Sequence, residues 1–307
     1  MYWTNLPRGA LTLTISKSQY FSHECGILII TVASGKGGTG KTTVAVNLAL
    51  SIEPEKLLDC DVEEPNVHTL LHPMEFHTTA VTVPTPVVDQ DKCTLCGKCA
   101  EFCQFNAIFV GKTKTMVYNE MCHSCGGCVI VCPEKAITET PRSIGKIHES
   151  AIDGIALVYG ELSIGEPIAT TLIHAVKERI VPEKINILDA PPGTACPVIE
   201  TMRTSDFLLL VTEPTPFGLH DLSMAVDVVR GLDIPFGVII NRAGIGDDGV
   251  AMYCKREAIP ILLEIPFDRQ IAELYSRGIP FVQEMPDWRQ RFKDMYVHIE
   301  RMIHNGK

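Results

Sequence analysis

Short runs of β-branched and other apolar residues recur along the chain, with stretches of helical periodicity between them. Ile27-Leu28-Ile29-Ile30-Thr31-Val32 shows no polar alternation, as expected of a strand covered on both faces. Comparable runs stand at Leu57-Leu58 and at residues 185–188, 207–211, 236–240 and 261–265. Helical patterns occupy residues 42–50, 169–179 and 219–231. Near the end, Trp288, Phe292, Met295, Ile299 and Met302 also keep helical spacing. Alternating strands and helices predict an α/β fold, a mostly parallel sheet with helices on both faces. The final helix is expected to pack on its own sheet; an amphipathic helix seeking a membrane surface is the alternative.

One segment breaks the pattern and repeats internally. Val88, Cys93, Cys96, Gly97, Cys99, Cys103, Ala107 and Ile108 recur 29 residues later as Val117, Cys122, Cys125, Gly126, Cys128, Cys132, Ala136 and Ile137. Two copies of one small unit thus form a module inserted into the larger domain. Pro84, Pro86 and Pro141 mark its edges. The expected division is a main domain of residues 25–84 and 142–307 and an inserted small α+β domain of residues 85–141. Residues 1–24, mixed and polar, are expected to be a poorly ordered extension.

Composition narrows the class. The 307 residues are 46% hydrophobic and 21% charged, which suits a globular protein with a large core. A net charge of −10 disfavours a nucleic-acid binder acting through a general basic surface. No apolar run approaches the roughly 20 residues of a spanning helix, so no stable membrane insertion is expected. Eight of the twelve cysteines crowd between Cys93 and Cys132, a spacing that points to metal ligation in a reducing, cytoplasmic setting rather than to disulfides.

Gly35-Lys36-Gly37-Gly38-Thr39-Gly40-Lys41-Thr42 follows the first strand and opens the first helix. This is the G-x-x-x-x-G-K-[ST] phosphate loop. Its glycines let backbone N–H groups approach phosphate oxygens, and the helix N-terminus adds positive charge. Lys41 would neutralise the β- and γ-phosphates, Thr42 would offer its hydroxyl to Mg²⁺, and Thr43 lies one residue further in.

The second lysine, Lys36, makes the loop resemble the deviant Walker A motif of the MinD/Mrp/ParA group and the nitrogenase iron protein. The resemblance covers about residues 26–84 and 142–285. It implies a P-loop NTPase fold, bound ATP and Mg²⁺, and an ATP-dependent homodimer in which Lys36 reaches the partner's phosphates. By the same resemblance Asp59 would sit near Mg²⁺ and Asp61 would orient the attacking water. Asp189 would hold Mg²⁺ through water, and the Gly193 backbone would sense the γ-phosphate. Asn241 would read adenine, and Pro266-Phe267-Asp268 would close over that base.

The two cysteine runs each match the C-x₂-C-x₂-C-x₃-C pattern of bacterial two-cluster ferredoxins, the second with Pro133 following. That match implies one [4Fe-4S] cluster on Cys93, Cys96, Cys99 and Cys132, and a second on Cys122, Cys125, Cys128 and Cys103. Gln104 stands where proline is usual in the first run, and four-cysteine zinc sites are the competing chemistry. Among the scattered cysteines, Cys196 follows the second switch and is a candidate bridging-cluster ligand, with a small buried residue as the plainer alternative. Cys25, Cys60 and Cys254 have no evident partners.

The whole chain therefore resembles MinD-type ATPases with an inserted ferredoxin domain. The function implied first is an ATP-gated electron-transfer protein serving a redox partner. An iron-sulfur cluster assembly or carrier ATPase of the Mrp type is the alternative. A positioning ATPase like ParA or MinD comes third.

Overall fold

A computed structural model describes residues 28–305; the expected extension at 1–24 and Cys25 lie outside them. The first apolar run is strand β1 (Leu28–Ala33), and the phosphate-loop pattern leads into helix α1 (Lys41–Ile52). Strands β2 (Lys56–Asp59), β8 (Ile185–Asp189), β9 (Phe207–Thr212), β10 (Phe236–Ala243) and β11 (Ile261–Pro266) occupy the other apolar runs. Helices α5 (Ala169–Lys177) and α7 (Pro216–Leu232) fall on the expected helical stretches. Five further strands had no counterpart among the apolar runs: the short pair β4 (Ile108–Val110) and β5 (Thr115–Val117) within the cysteine module, and β3 (His77–Val88), β6 (Ile137–Ile152) and β7 (Ile155–Leu162), which join the strands above.

Together they form a nine-stranded sheet in the order β11-β10-β9-β1-β8-β2-β7-β6-β3. The sheet is parallel from β11 to β7; β6 runs antiparallel to both β7 and β3. Both faces are covered. On one, Ile30, Val32, Leu57 and Ile187 pack under α1 and the last helix, α11 (Pro286–Asn305). On the other, Leu58, Leu188 and Val158 pack with Leu172 and Val176 of α5.

The expected edges of the inserted segment lie inside paired strands. β3 and β6 form a two-stranded ribbon running from His77↔Glu149 to Val88↔Ile137, and it carries the cysteine module at its far end. β7 accompanies β6 only as far as Gly145↔Leu162. Beyond it the ribbon projects about 25 Å from the edge where the parallel strands end. A register shift between Val81 and Thr82 marks the point of departure, a bulge that re-aims the strand pair. Gly145 occupies that bend because a Cβ there would collide with the Glu161 carbonyl and Leu172. Pro84 and Pro141 face each other in register. Neither can donate a ladder hydrogen bond, so theirs is a non-hydrogen-bonded pair and the prolines sit within the ribbon without interrupting it.

The last helix packs internally. Trp288, Met295, Phe292 and Ile299 are buried in the core beside α1, and Phe281 meets Trp288 edge-on at 5.6 Å. No helix among the described residues is long and apolar enough to cross a membrane. Phe292 is fully buried, so Phe292→Ala should lower unfolding free energy by about 3–5 kcal/mol, read from denaturant midpoints. An unchanged midpoint would mean that the helix does not depend on this core.

Candidate functional site

The strand ends gather the chemistry. β1 stops at Ala33 and the chain turns through Gly38 (φ 78°) and Gly40 (φ 93°) into α1. These left-handed positions favour glycine. A Cβ at Gly40 would also strike the Asn241 amide. Thr39 is buried in the loop, and its hydroxyl has no hydrogen-bond partner. Lys41, at the first helical position, is 7% exposed.

Facing it are three carboxylates. Asp59 and Asp189 are in register on the adjacent strands β2 and β8 and are fully or nearly fully buried. Asp59 accepts from the backbone N–H groups of Asp61 (3.0 Å), Asn66 (2.9 Å) and Val67 (3.0 Å). The Thr42 hydroxyl donates to Asp189 Oδ2 at 2.5 Å, whereas Asp189 Oδ1 is buried with no partner. Burial pushes Asp59 and Asp189 well above the usual carboxylate range; the Asp189 charge adds to the shift of Asp59, and the Lys41 ammonium opposes that of Asp189. Burial, and then the Asp59 charge, push Asp61 up to about 6. Lys41 thus offsets the charge of Asp61 and Asp189, backbone N–H groups offset that of Asp59, and an orphaned carboxylate oxygen lies beside a threonine hydroxyl. That donor set fits Mg²⁺, a hard cation with oxygen ligands.

The segment after Asp189 adjoins it. Gly193 (φ 97°) donates its N–H to the Ser34 carbonyl at 3.0 Å, which places the segment after Asp189 against the phosphate loop. On the other flank, Asn241 donates to the Thr39 carbonyl at 2.8 Å, so its amide holds the loop itself. Pro266 pairs with Ala243 at the end of β10, and Phe267, which follows, is exposed. Asp268 caps helix α9 (Arg269–Ser276) through Gln270 N–H. The expected adenine residues thus meet at one flank, with Asn241 and Asp268 already holding backbone groups. Lys36 lies 3.9 Å from Asp221 Oδ2 of α7, a weak pairing that leaves it a third exposed. Asp221 was not evident from the sequence, because nothing local marks it as facing the loop. A Cβ on Gly35 would strike its carbonyl, which explains that glycine.

The cysteine module repeats in backbone as it does in sequence. Leu95 and Ser124, Gly97 and Gly126, and Asn106 and Lys135 are matching left-handed positions. Short helices α3 (Lys98–Phe102) and α4 (Gly127–Ile130) start after the two glycines. Ala107 N–H donates to Cys103 Sγ and Ala136 N–H to Cys132 Sγ, both at 3.3 Å. A small recess is lined by Cys93, Cys96 and Cys99 from one run and Cys132 from the other. Burial pushes the Cys128 thiol up to about 11, with Cys122 and Cys125 adding charge beside it. Thiols so grouped ionise against a cation, and such a set fits a soft metal held by thiolates. Among the described residues no three His, Cys, Asp or Glu side chains converge on one metal-ion position.

Cys196 is exposed at the start of helix α6 (Cys196–Met202), three residues past Gly193. Cys60 and Cys254 are buried, and burial pushes both thiols up.

Known proteins were compared with this chain. The family model described as "CobQ/CobB/MinD/ParA nucleotide binding domain" matches residues 30–281. An uncharacterized protein of Methanocaldococcus jannaschii is 33% identical over 282 residues, 90% of this chain and 96% of that one. An iron-sulfur cluster carrier protein of the same organism is 25% identical over 301 residues, 91% of this chain and 86% of that one. Among solved structures, the septum site-determining protein MinD of Pyrococcus horikoshii, complexed with Mg-ADP, aligns with a TM-score of 0.57 at 19% identity. That alignment covers 90% of this chain and 97% of that one, and it shows a shared α/β P-loop fold.

Two predictions follow from this geometry. Carboxylates whose folded pKa is raised favour the folded state below the unfolded value, and that contribution is lost as pH rises through the folded value. In EDTA and without nucleotide, the melting temperature should therefore fall as pH rises from about 4 through about 6, and Asp59→Asn should flatten the slope. A wild-type melting temperature that rose across that range would contradict the buried acids. Second, because Cys132 lines the recess of the first run, Cys132→Ser is expected to disturb metal bound by that run, and by the repeat Cys103→Ser metal bound by the second, as read by anaerobic EPR and metal content of each variant. The reverse outcome would overturn the crossed membership.

Proposed function

We propose that this chain, which belongs to the CobQ/CobB/MinD/ParA nucleotide-binding family, is an ATP-hydrolysing iron-sulfur protein of the cluster assembly or carrier type. The observation that carries this is the presence, on one sheet, of a complete phosphate-loop and carboxylate set and of a ribbon bearing two repeated cysteine runs. Relatives named as iron-sulfur cluster carriers support the assignment.

In the proposed reaction the loop N–H groups and Lys41 hold the ATP phosphates, and the Thr42 hydroxyl with Asp189 holds Mg²⁺. Asp61 orients the attacking water, and the Gly193 backbone responds to the γ-phosphate. Two copies close over the nucleotides, with Lys36 leaving Asp221 for the partner's phosphates. The module's eight cysteines, Cys93, Cys96, Cys99 and Cys132 with Cys122, Cys125, Cys128 and Cys103, hold two [4Fe-4S] clusters that supply one-electron transfer. A cargo cluster, the substrate in this scheme, is received at exposed Cys196 beside the second switch.

A second function, ATP-gated electron transfer to a redox partner protein, is favoured by one observation. The module stands on a ribbon rooted in the same sheet as the Mg²⁺ carboxylates, so nucleotide state has a mechanical route to it. A coupling of about 1–3 kcal/mol would move a one-electron potential by roughly 40–130 mV.

Anaerobically purified protein discriminates. Carriage requires a labile cluster beyond the two resident ones, transferable to an apo-ferredoxin in the presence of Mg·ATP. A fixed content of two clusters whose potential shifts with Mg·ATP supports gating instead. Iron-free protein with normal ATP hydrolysis would overturn both. Lys41→Ala should abolish hydrolysis and leave the iron content unchanged. Lys36→Ala should retain nucleotide binding while losing dimer-dependent hydrolysis, and equal loss of binding in both variants would contradict the cross-subunit role.

A further inference from the structure

One row of side chains crosses the sheet from the nucleotide site to the root of the ribbon. Asp189 of β8 is in register with Asp59 of β2, Asp59 with Tyr159 of β7, Tyr159 with His148 of β6, and His148 with Thr78 of β3. Residues paired in this way share one face, and four strand spacings cover about 19 Å. The contacts along the row are tight. Tyr159 and His148 stack with ring centroids 4.7 Å apart and planes 20° apart. His148 is fixed on both ring nitrogens, to the Thr78 hydroxyl at 2.9 Å and to Glu161 at 3.1 Å. Phe76, just before β3, stands edge-on to both rings.

A small helix ties this row to the first switch. α2 (Val67–Leu71) begins where the Asn66 and Val67 N–H groups donate to Asp59 Oδ2. One residue on, His68 also stacks on Tyr159, at 4.7 Å and 16°, and its buried Nδ1 has no partner. The same five-residue helix therefore grips the carboxylate that responds to Mg²⁺ and the ring that abuts the ribbon. A change in the electrostatics of Asp59 alters what those two amides hold, and any displacement of α2 slides His68 across Tyr159. Packed interfaces of this kind shift between discrete arrangements and do not deform smoothly.

We propose that the His68–Tyr159–His148 stack is the joint through which occupancy of the nucleotide site sets the pose of the β3–β6 ribbon, and with it the cysteine module. Tyr159 and His68 are positioning residues: their ring contacts are with each other, His148 and Phe76. A second fastening holds the neck of the ribbon. Arg142 of β6 makes a bidentate pair with Glu166, in the loop before α5, and its Nε donates to the Thr85 hydroxyl at 3.3 Å. With the neck fixed at Arg142, movement at the root turns the ribbon about that point. The inference deepens the proposed function by naming what connects its two halves.

Hydrogen–deuterium exchange of the anaerobic full chain tests it, without nucleotide and with Mg²⁺ plus a non-hydrolysable ATP analogue. In the wild type, ribbon amides at 77–88 and 137–152 should change exchange rate by about fivefold or more on adding the analogue, alongside protection of the phosphate loop. Tyr159→Leu and, independently, His68→Ala should keep the phosphate-loop protection and lose the ribbon response. Tyr159→Phe, which preserves the stack, should restore it. His68 lies on the half-buried face of α2, so His68→Ala keeps the test decisive if Tyr159→Leu does not fold. A wild-type ribbon indifferent to nucleotide, or a full ribbon response in His68→Ala, overturns the proposal. Iron measured in the same samples reports separately on the cluster assignment, whose failure would leave the joint standing.

Discussion

Two carboxylates buried side by side are the constraint around which this molecule is arranged. Asp59 and Asp189 end adjacent parallel strands, away from water, and repel each other at close range. A bare pair of this kind is costly to bury. The chain compensates with directed groups: three backbone N–H donors on Asp59, a hydroxyl on Asp189 and the Lys41 ammonium nearby. Each compensating group belongs to an element that has to be somewhere else in the fold as well. Thr42 and Lys41 bring the phosphate loop, Asn66 and Val67 bring α2, and Asp61 brings the loop between them. The local charge problem therefore dictates which segments surround the nucleotide.

Much of this was legible in the chain because it is local. The phosphate loop combines a strand, glycines with positive φ and a helix start within fifteen residues, and each is dictated by near neighbours. The cysteine repeat was equally plain, since the left-handed positions that bend its loops recur at the same interval as the thiols. What escaped was non-local. β6 reads Ile-Thr-Glu-Thr-Pro-Arg-Ser-Ile, with a proline and few apolar residues, and so looks like a boundary. Its status as a strand comes from pairing with β3 across half a hundred intervening residues, which no window of sequence can register. Prolines taken as punctuation turned out to sit at positions where a donor is not required.

The same distinction holds at the site. Lys41, Thr42 and Asp189 were identifiable by type and context, whereas Asp221, Tyr159 and His148 acquire meaning only through register or tertiary approach. Asn241 reads from the sequence as a base-contacting residue; in the structure its amide holds the carbonyl of Thr39, inside the loop that it flanks. Asp268 likewise serves a helix start. Such residues are harder to assign because the hydrogen bonds that the side chains make to distant or neighbouring backbone carry no mark in the local sequence.

The opposed prolines of the neck have a consequence for how such proteins crowd. Pro84 and Pro141 form a non-hydrogen-bonded pair, so the amide positions they occupy point away from the ribbon, and Pro86 repeats the arrangement two residues on. An extended arm reaching beyond its parent sheet would otherwise offer its flanks as templates for strands of neighbouring molecules. With those donors removed, the middle of the arm offers a neighbouring strand fewer amides to pair with.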